Sequence, residues 1–591
     1  MLNVSMVSFR NIAALVTASV ISCASVFAEK LPLRVTLNIS QEIDHIIEQA
    51  NLKKSIKANP IIDDATFLRR SYLNIIGRIP TYDETMSFLD NKDSGKRAKL
   101  VDTLTYSPGY NSHFYNFYAN LFRVQSEQDQ FGLGWDLWLK DAVKNNMPYD
   151  KLVSEMLSAT GHCATTPAVG YYLRDRGMLL DNVSNTSKVF LGTQIGCAQC
   201  HDHPFEDWTQ KQYYQLAAYG SKIEYRSDEA RRKIKEVVDF KNSKTKPSNK
   251  KGRNKNQMRK EARDLRTIFR NFNRNSIASN QNRSLRLPKD YKYNDGKPGD
   301  LVYPSVLFGD LPKSDSIQSQ HHKLASWVTD RSNPMFSKVI VNRLWKHALG
   351  YGLVEPTDNW TDRSKISHPE VLDLLVDVLH ESDFDTRETL RVIYHTKLFQ
   401  RTSCATEMNN GRQHNFRGPV LRRMSAEQIY DSLLTLEKGN IDTLENTSKL
   451  KKWQDFESSI QKILRSKPAE IIQLDEAVDK AENATREYQQ QARKLRSEKS
   501  KAESDGNQSK ANRIQKELVK LQKKIRALRQ EKRPTEATKI GLALQNRLRV
   551  NHRGPLRASE LSSPFSPGSF IRDFGASDRN TTNAQHTQAS I

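Results

Sequence analysis

Cysteine is scarce in this chain of 591 residues, which contains five. Four of them, Cys163, Cys197, Cys200 and Cys404, lie beyond the N-terminal segment. Small secreted domains that depend on disulfides are far richer in cysteine, so this class of fold is excluded. The length predicts roughly two to four domains, which hydrophobic cores must hold together.

Long apolar runs and the common catalytic loops are missing too. No segment after residue 30 is apolar enough to span a bilayer. The chain has no glycine-rich phosphate loop, no nucleophile elbow and no zinc-protease helix. The sequence therefore does not point to any of the enzyme classes that these motifs define. Whether the protein is an enzyme stays open.

The N-terminus has the pattern of an export signal. Arg10 is followed by an apolar run at 12–20 and by Val-Phe-Ala, which predicts cleavage after Ala28 and a signal peptide at 1–28. An alternative interpretation is a lipoprotein, because Val-Ile-Ser precedes Cys23 as in a bacterial lipobox. Both interpretations place the mature protein in the periplasm or cell envelope.

Acidic residues are outnumbered, with 68 Asp and Glu against 92 Lys and Arg, and the net charge is +24. In a cytoplasmic protein this excess would indicate nucleic acid, but in an exported protein we expect no nucleic-acid partner. The excess is concentrated at 241–270, where twelve basic residues face two acidic ones. We interpret this basic stretch as a disordered loop, with binding to an anionic envelope surface or acidic polysaccharide as the alternative.

Helical spacing dominates the rest of the sequence, which predicts a mainly α, multi-domain protein. Almost no alternating strand pattern occurs before residue 220. Residues 466–533 carry apolar residues alternately three and four apart on both sides of a Gly-Asn turn at 506–507. This pattern predicts an inserted antiparallel coiled-coil hairpin, which offers a surface for a coiled-coil partner.

The most informative segment is residues 196–204, Gly-Cys-Ala-Gln-Cys-His-Asp-His-Pro. Cys197, Cys200 and His201 form the C-x-x-C-H pattern of covalent haem c attachment. The two thiols can form thioethers to one porphyrin, and the adjacent imidazole of His201 then binds the haem iron. His203 is too close to His201 to reach the opposite face, so a second axial ligand must come from elsewhere or be absent.

Three other interpretations of this motif stay open. Cys197, Cys200 and His203 offer ligands suited to zinc, with Cys163 or His162 as a fourth. A C-x-x-C pair is also typical of a redox dithiol, and a structural disulfide between the two cysteines is the simplest alternative.

Several longer motifs resemble one family in chain order. They are Phe-Leu-Arg-Arg-Ser-Tyr-Leu-Asn-Ile-Ile-Gly-Arg-Ile-Pro-Thr at 67–81, Asn-Met-Pro-Tyr-Asp at 146–150 and the cysteine motif with Asp-Trp-Thr-Gln-Lys at 207–211. Together they resemble the planctomycete-type cytochrome c domain family. Val-Asn-Arg-Leu-Trp-Lys-His at 341–347 and Arg-Arg-Met-Ser-Ala-Glu at 422–427 resemble its companion domain of unknown function.

This resemblance implies a division of the chain into domains. It leaves the basic insertion and the hairpin outside the family-like regions. It also implies that the C-terminus ends before the family pattern does. The predicted parts are a signal peptide (1–28), a cytochrome c-like helical domain (35–222), a basic, largely disordered insertion with an extended loop (223–317), the first part of the companion domain (318–440), the coiled-coil hairpin (466–533) and the second part of the companion domain (535–591).

Two classes of function follow from these observations. The first is an envelope protein with a c-type haem site, which serves electron transfer with a redox partner protein. The second is a non-enzymatic envelope scaffold or binding protein, in which the cysteine motif holds zinc or a structural disulfide.

Overall fold

The computed structural model describes residues 30–243, 269, 272–312, 319–404, 414–529 and 554–580, and helices dominate them. The first helices in the chain are α1 (Leu33–Lys53), α2 (Asp64–Ser71), α3 (Tyr82–Asp90), α4 (Lys96–Thr105), α5 (Pro108–Leu121), α6 (Asp129–Lys144), α7 (Tyr149–Ser158), α8 (Gly170–Leu173), α9 (Leu179–Phe190), α10 (Gln210–Ala218) and α11 (Asp228–Ser243). The later helices are α12 (Gln320–Thr329), α13 (Pro334–Leu349), α14 (Pro369–Glu381), α15 (Thr386–His395), α16 (Lys397–Gln400), α17 (Ala426–Lys438), α18 (Thr447–Arg465), α19 (Pro468–Ser504), α20 (Gln508–Arg529) and α21 (Phe570–Asp573). The prediction of a mainly α protein is confirmed.

Local sequence signals explain where many helices begin and end. Thr81 and Glu84 form a reciprocal capping box at the start of α3, and Asp63 accepts a hydrogen bond from Thr66 at the start of α2. After α2 a wide helical turn ends at Gly77, whose φ is 77°. A Cβ at this position would lie 2.4 Å from a ring nitrogen of His113, so both the backbone angle and the close packing require glycine.

A small antiparallel sheet joins segments that are distant in the sequence. It consists of β1 (Gly161–His162), β2 (Ile223–Glu224) and β3 (Ser276–Ser279), in the order β1-β3-β2. β3 lies on the C-terminal side of the basic stretch and pairs with strands that flank the cysteine motif in the sequence. The sheet therefore brings the segments on the two sides of the basic stretch together with β1, which lies between α7 and α8.

One continuous hydrophobic core extends from Ile43 in α1 to Leu474 in α19. It includes Trp135 and Phe190 from the N-terminal half and Trp345 from the C-terminal half, each almost fully buried. The predicted division into several domains is therefore not reflected in the core. Among the described helices, none is both long enough and apolar enough to cross a membrane.

Part of the predicted insertion at 223–317 has regular structure. Residues 228–243 form the helix α11, because Ala230, Ile234, Val237 and Val238 recur at helical spacing and pack against the core. The basic stretch lies outside the described residues except at 241–243 and 269. The signal peptide and Cys23 lie outside them as well.

Two helices occupy the region of the predicted hairpin. α19 and α20 contact each other and are joined by a turn in which Gly506 has a φ of 72°. Ala502, Ala511, Ile514 and Leu518 form a separate small core between them. Ile471 and Leu474, at the start of α19, belong instead to the main core. Coiled-coil geometry stays a prediction, and residues 530–533 lie outside the described part of the chain.

Candidate functional site

The cysteine motif lies in a surface turn between α9 and α10. Residues Gly196–Gln199 form a single 3-10 turn, with Ile195 before it and Cys200 after it. Ile195 and Ala198 are buried, whereas Cys197 and Cys200 are exposed. The two apolar residues thus hold the turn against the core while both thiols face solvent. Each thiol is free and open to chemical attachment.

A hydrogen bond selects the tautomer of the neutral His201 ring, which is also exposed. Its Nδ1 lies 2.7 Å from the carbonyl oxygen of Asp202. A carbonyl oxygen only accepts, so Nδ1 carries the ring proton and donates it. Nε2 of the neutral ring therefore keeps its lone pair. Histidines that bind metals have this arrangement, with one ring nitrogen donating to a carbonyl and the other free to bind.

His203 has the opposite arrangement. The backbone N–H groups of Phe205 and Glu206 donate to its Nδ1 at 3.3 and 3.1 Å. Because Nδ1 accepts these bonds, the proton of the neutral ring lies on Nε2. Neither nitrogen of His203 has a free lone pair for a metal ion, which argues against His203 as a zinc ligand.

The additional zinc ligands that the sequence offered, His162 and Cys163, lie in the core, unlike the two exposed thiols. His162 and Cys163 are both 0% exposed, and the His162 ring packs on Phe272 with centroids 5.0 Å apart. Burial also raises the pKa of the Cys163 thiol far above its ordinary value, which disfavours the thiolate that zinc needs. Within the described residues, no three or more His, Cys, Asp or Glu side chains converge as a metal site.

Two residues that sequence reasoning missed hold the turn in place. Asp202 accepts a hydrogen bond at 2.8 Å from the backbone of Gln210, the first residue of α10. The backbone N–H of Asp202 donates at 2.7 Å to the hydroxyl of Tyr293. Asp202 had no helix-cap signal, because it lies eight residues before Gln210. Tyr293 had none, because 91 residues separate it from its partner.

The aromatic residues near the motif divide by burial. Tyr213 and Tyr214 are buried core residues, and the Tyr213 hydroxyl donates to the Leu180 carbonyl at 2.8 Å. Trp208 packs partly against the core. Phe205 is 76% exposed, four residues after His201. Apolar surface for a bound ring is therefore available at Phe205 rather than at the two tyrosines.

A second polar constellation, on α13, has a packing role. Asn342 exchanges two hydrogen bonds with the backbone of Val354, at 2.8 and 3.1 Å. Arg343 donates to the carbonyl of Lys188, and His347 is buried with its pKa far below the ordinary value because of burial. These contacts make the three residues interior polar groups of the core rather than an anion site.

Comparison with known proteins identifies two successive domains. Residues 42–225 match the family model PSCyt2, a protein of unknown function (DUF1549), and residues 320–529 match PSD1, a protein of unknown function (DUF1553). The second match includes α19 and α20, so the expectation that the hairpin lies outside the family-like regions is wrong. No curated protein matches the chain, and no solved structure does.

Proposed function

Because the chain carries a PSCyt2 domain followed by a PSD1 domain, we propose that its C-x-x-C-H turn is a covalent haem c attachment site of an exported electron-transfer protein. The tautomer of His201 carries this proposal. Its Nδ1–H donates to the Asp202 carbonyl, which leaves Nε2 as the only ring nitrogen that can bind iron.

The two thiols support the same assignment. Covalent attachment requires that both sulfurs reach one porphyrin, and Cys197 and Cys200 are both exposed on one short turn. The bound group would supply one-electron chemistry. The protein contributes a fixed turn, because Asp202 is bonded at its side chain to α10 and at its backbone to Tyr293.

A zinc site or a scaffold role remains the second function. The zinc form needs His203, whose Nδ1 already accepts two backbone hydrogen bonds. The pair α19 and α20 supports the scaffold role, because it offers a long surface for a partner. α19 alone is about 55 Å long at about 1.5 Å per residue. A coiled-coil partner would bind along these helices.

The test is expression of the full chain, with its N-terminal segment, in a bacterial host that has haem-attachment machinery. We expect covalent haem that stays with the protein in a denaturing gel. Cys197→Ala should abolish two-point attachment, and His201→Ala should change the iron spectrum. Cys404→Ala is the matched control, because Cys404 lies outside the motif and is half-buried. A colourless wild-type protein with stoichiometric zinc would overturn the haem assignment.

A further inference from the structure

A groove lies along one side of the helix pair α19 and α20. Its cavity has a volume of about 370 Å³. Seven residues line it, and they are Gln489, Ala492, Arg493 and Arg496 of α19 and Leu518, Leu521 and Gln522 of α20. None of these seven is acidic, so the groove combines an apolar part with a purely basic one.

The floor of the groove is apolar. Leu518 and Leu521 are 6% and 8% exposed, and Leu518 belongs to the small core between the two helices. Ala492, on the facing helix, packs partly against that core. Because alanine ends at one methyl group, it leaves room beside the two leucines. In helical assemblies a side chain of a further helix fits such a gap between four residues.

The rim on α20 is uncharged and partly apolar. Gln522 lines the cavity, and Val519 lies three residues before it on the same helix face. Val519 is 41% exposed, so a partner can cover it. Lys510 and Glu517 lie nine and two residues before Val519, which places both on the opposite flank of α20. The charges of α20 are thus kept away from the groove.

The rim on α19 is basic. Arg493 and Arg496 line the groove and are exposed. The ion pairs within the described part of these two helices join Lys499 to Glu503 and Arg513 to Glu517. Neither arginine of the groove is engaged in them. An unengaged guanidinium offers several N–H donors in a plane, and carboxylates fit this arrangement.

The opposite flank of α19 carries both signs of charge. Lys494 lies two residues from both Ala492 and Arg496, which is about 160° around the helix. Glu487 and Glu498 lie seven residues before Lys494 and four after it, so they share its face. Mixed charges are typical of a flank that faces solvent. The groove side differs from this pattern because its charges are all positive.

The charge of the pair argues against a second copy of this chain as the occupant. Residues 487–523 contain ten Lys and Arg against five Asp and Glu, an excess of five positive charges. Two copies would therefore bring like charges together, which costs free energy at an interface. The occupant must instead supply negative charge together with apolar side chains.

We propose that this groove binds an amphipathic helix of a partner protein, in which Asp or Glu residues flank an apolar stripe. The stripe packs on Val519 and Ala492, and the carboxylates pair with Arg493 and Arg496. An acidic polysaccharide would use the two arginines and leave the apolar surface uncovered, so the groove favours the helix. The proposal deepens the binding role given above to α19 and α20 and rests on it, and it is independent of haem attachment.

The experiment measures binding of labelled synthetic helices to the full chain by fluorescence anisotropy. The probe is a peptide of about four heptads with Leu at the two core positions and Glu on both flanks. A matched peptide has Lys in place of each Glu, and heparin tests the polysaccharide alternative.

Variants of the chain separate the groove from the overall charge. Arg493→Gln combined with Arg496→Gln removes the basic rim. Lys494→Gln combined with Lys510→Gln is the matched control, since it removes the same charge from the opposite flanks. Val519→Glu places a negative charge beside the groove without changing either arginine. Circular dichroism checks that each variant keeps its helix content.

We expect the Glu peptide to bind and the Lys peptide not to bind. The Arg493 and Arg496 double variant should weaken binding of the Glu peptide by at least about tenfold, and the Lys494 and Lys510 control by at most about twofold. Val519→Glu should weaken it as well, and it suffices if the arginine variant loses helix content.

Three outcomes would overturn the proposal. Binding of heparin without the Glu peptide would exclude the acidic helix and leave the binding role of α19 and α20 intact, whereas binding of neither probe would remove both. Equal binding of the two peptides would show that charge does not select the partner. Equal weakening by the two double variants would show that charge acts without the groove.

Discussion

Individual histidines in this protein differ in the burial and the hydrogen-bond partners of the imidazole ring. His201 is exposed and has one nitrogen free, which is what a ligand needs. His162 is fully buried between Phe272 and Phe456, and its Nδ1 accepts from the backbone of Ala164. Burial lowers the pKa of His162 from 6.5 to about 3. The same residue type is therefore a candidate ligand at one position and a neutral core residue at another.

This burial predicts a pH dependence of stability. Below the unfolded-state pKa of 6.5, the unfolded chain takes up a proton at His162 and the folded chain does not, so stability is lost as the pH falls. Between about pH 7 and about pH 5 this one residue should cost about 2 kcal/mol.

We therefore compare His162→Asn, whose side-chain oxygen can replace Nδ1 as the acceptor, with wild type by urea unfolding at both pH values. The variant should lose about 2 kcal/mol less on acidification. His45→Gln, at an exposed position on α1, should behave like wild type. An unchanged pH dependence in His162→Asn would show that the buried ring does take up a proton.

At the scale of the element, the pair α19 and α20 has two unequal parts. Ile471 is fully buried in the main core, whereas Ile514 lies in the separate core between the two helices. The base of the pair is therefore part of the folded body, and its outer part depends on the contact of one helix with the other.

Two matched substitutions separate these parts. Ile471→Ala should lower the stability of the main transition by about 2–5 kcal/mol, because it leaves a cavity in the core. Ile514→Ala should leave that transition in place and reduce only the helical signal of α19 and α20. Thermal unfolding followed by circular dichroism, with limited proteolysis of the helix pair, measures both. Equal effects of the two substitutions would mean that the pair unfolds together with the body.

Helix α17 has its polar face inside. Asp431 and Thr435 are 2% and 4% exposed, whereas Leu433 and Leu436 are 50% and 72% exposed. The buried face is stabilised by Arg557, which forms an ion pair with Asp431 at 2.9 Å. Amphipathic spacing alone predicts the wrong buried face for this helix. The residue that stabilises the buried Asp431, Arg557, lies 126 residues further along the chain, so no local pattern indicates it.

At the scale of the whole molecule, the C-terminal segment holds distant parts together. Arg557 also pairs with Asp442 at 3.0 Å and donates to the carbonyl of Ile76 at 2.6 Å. Arg579 donates to the carbonyl of Val124 at 3.0 Å. Residues 554–580 therefore contact both family-matched segments, although they lie beyond the second match.

Removal of the Arg557 guanidinium should destabilise the entire fold. Arg557→Met leaves Asp431 buried without its ion-pair partner, which typically costs about 3–5 kcal/mol. Urea unfolding should show this loss as a shift of the whole transition. Arg34→Met, at an exposed position of α1, should change stability by less than about 0.5 kcal/mol. A loss confined to a minor early transition in Arg557→Met would mean that the C-terminal segment unfolds on its own.

Local signals in the sequence account for several elements of this protein. The capping boxes at Thr81 and Thr209 begin α3 and α10, and the turn near Gly506 separates α19 from α20. The C-x-x-C-H motif likewise identified the candidate site. Such signals act between residues a few positions apart, where the chain itself brings the groups together, so they can be read without the fold.

Tertiary structure alone decided the features that depend on distant partners. It placed His162 and Cys163 in the core and brought Tyr293 to the cysteine turn. Burial and hydrogen-bond partners of these groups depend on how helices from both halves pack into one core, and no local pattern carries that information.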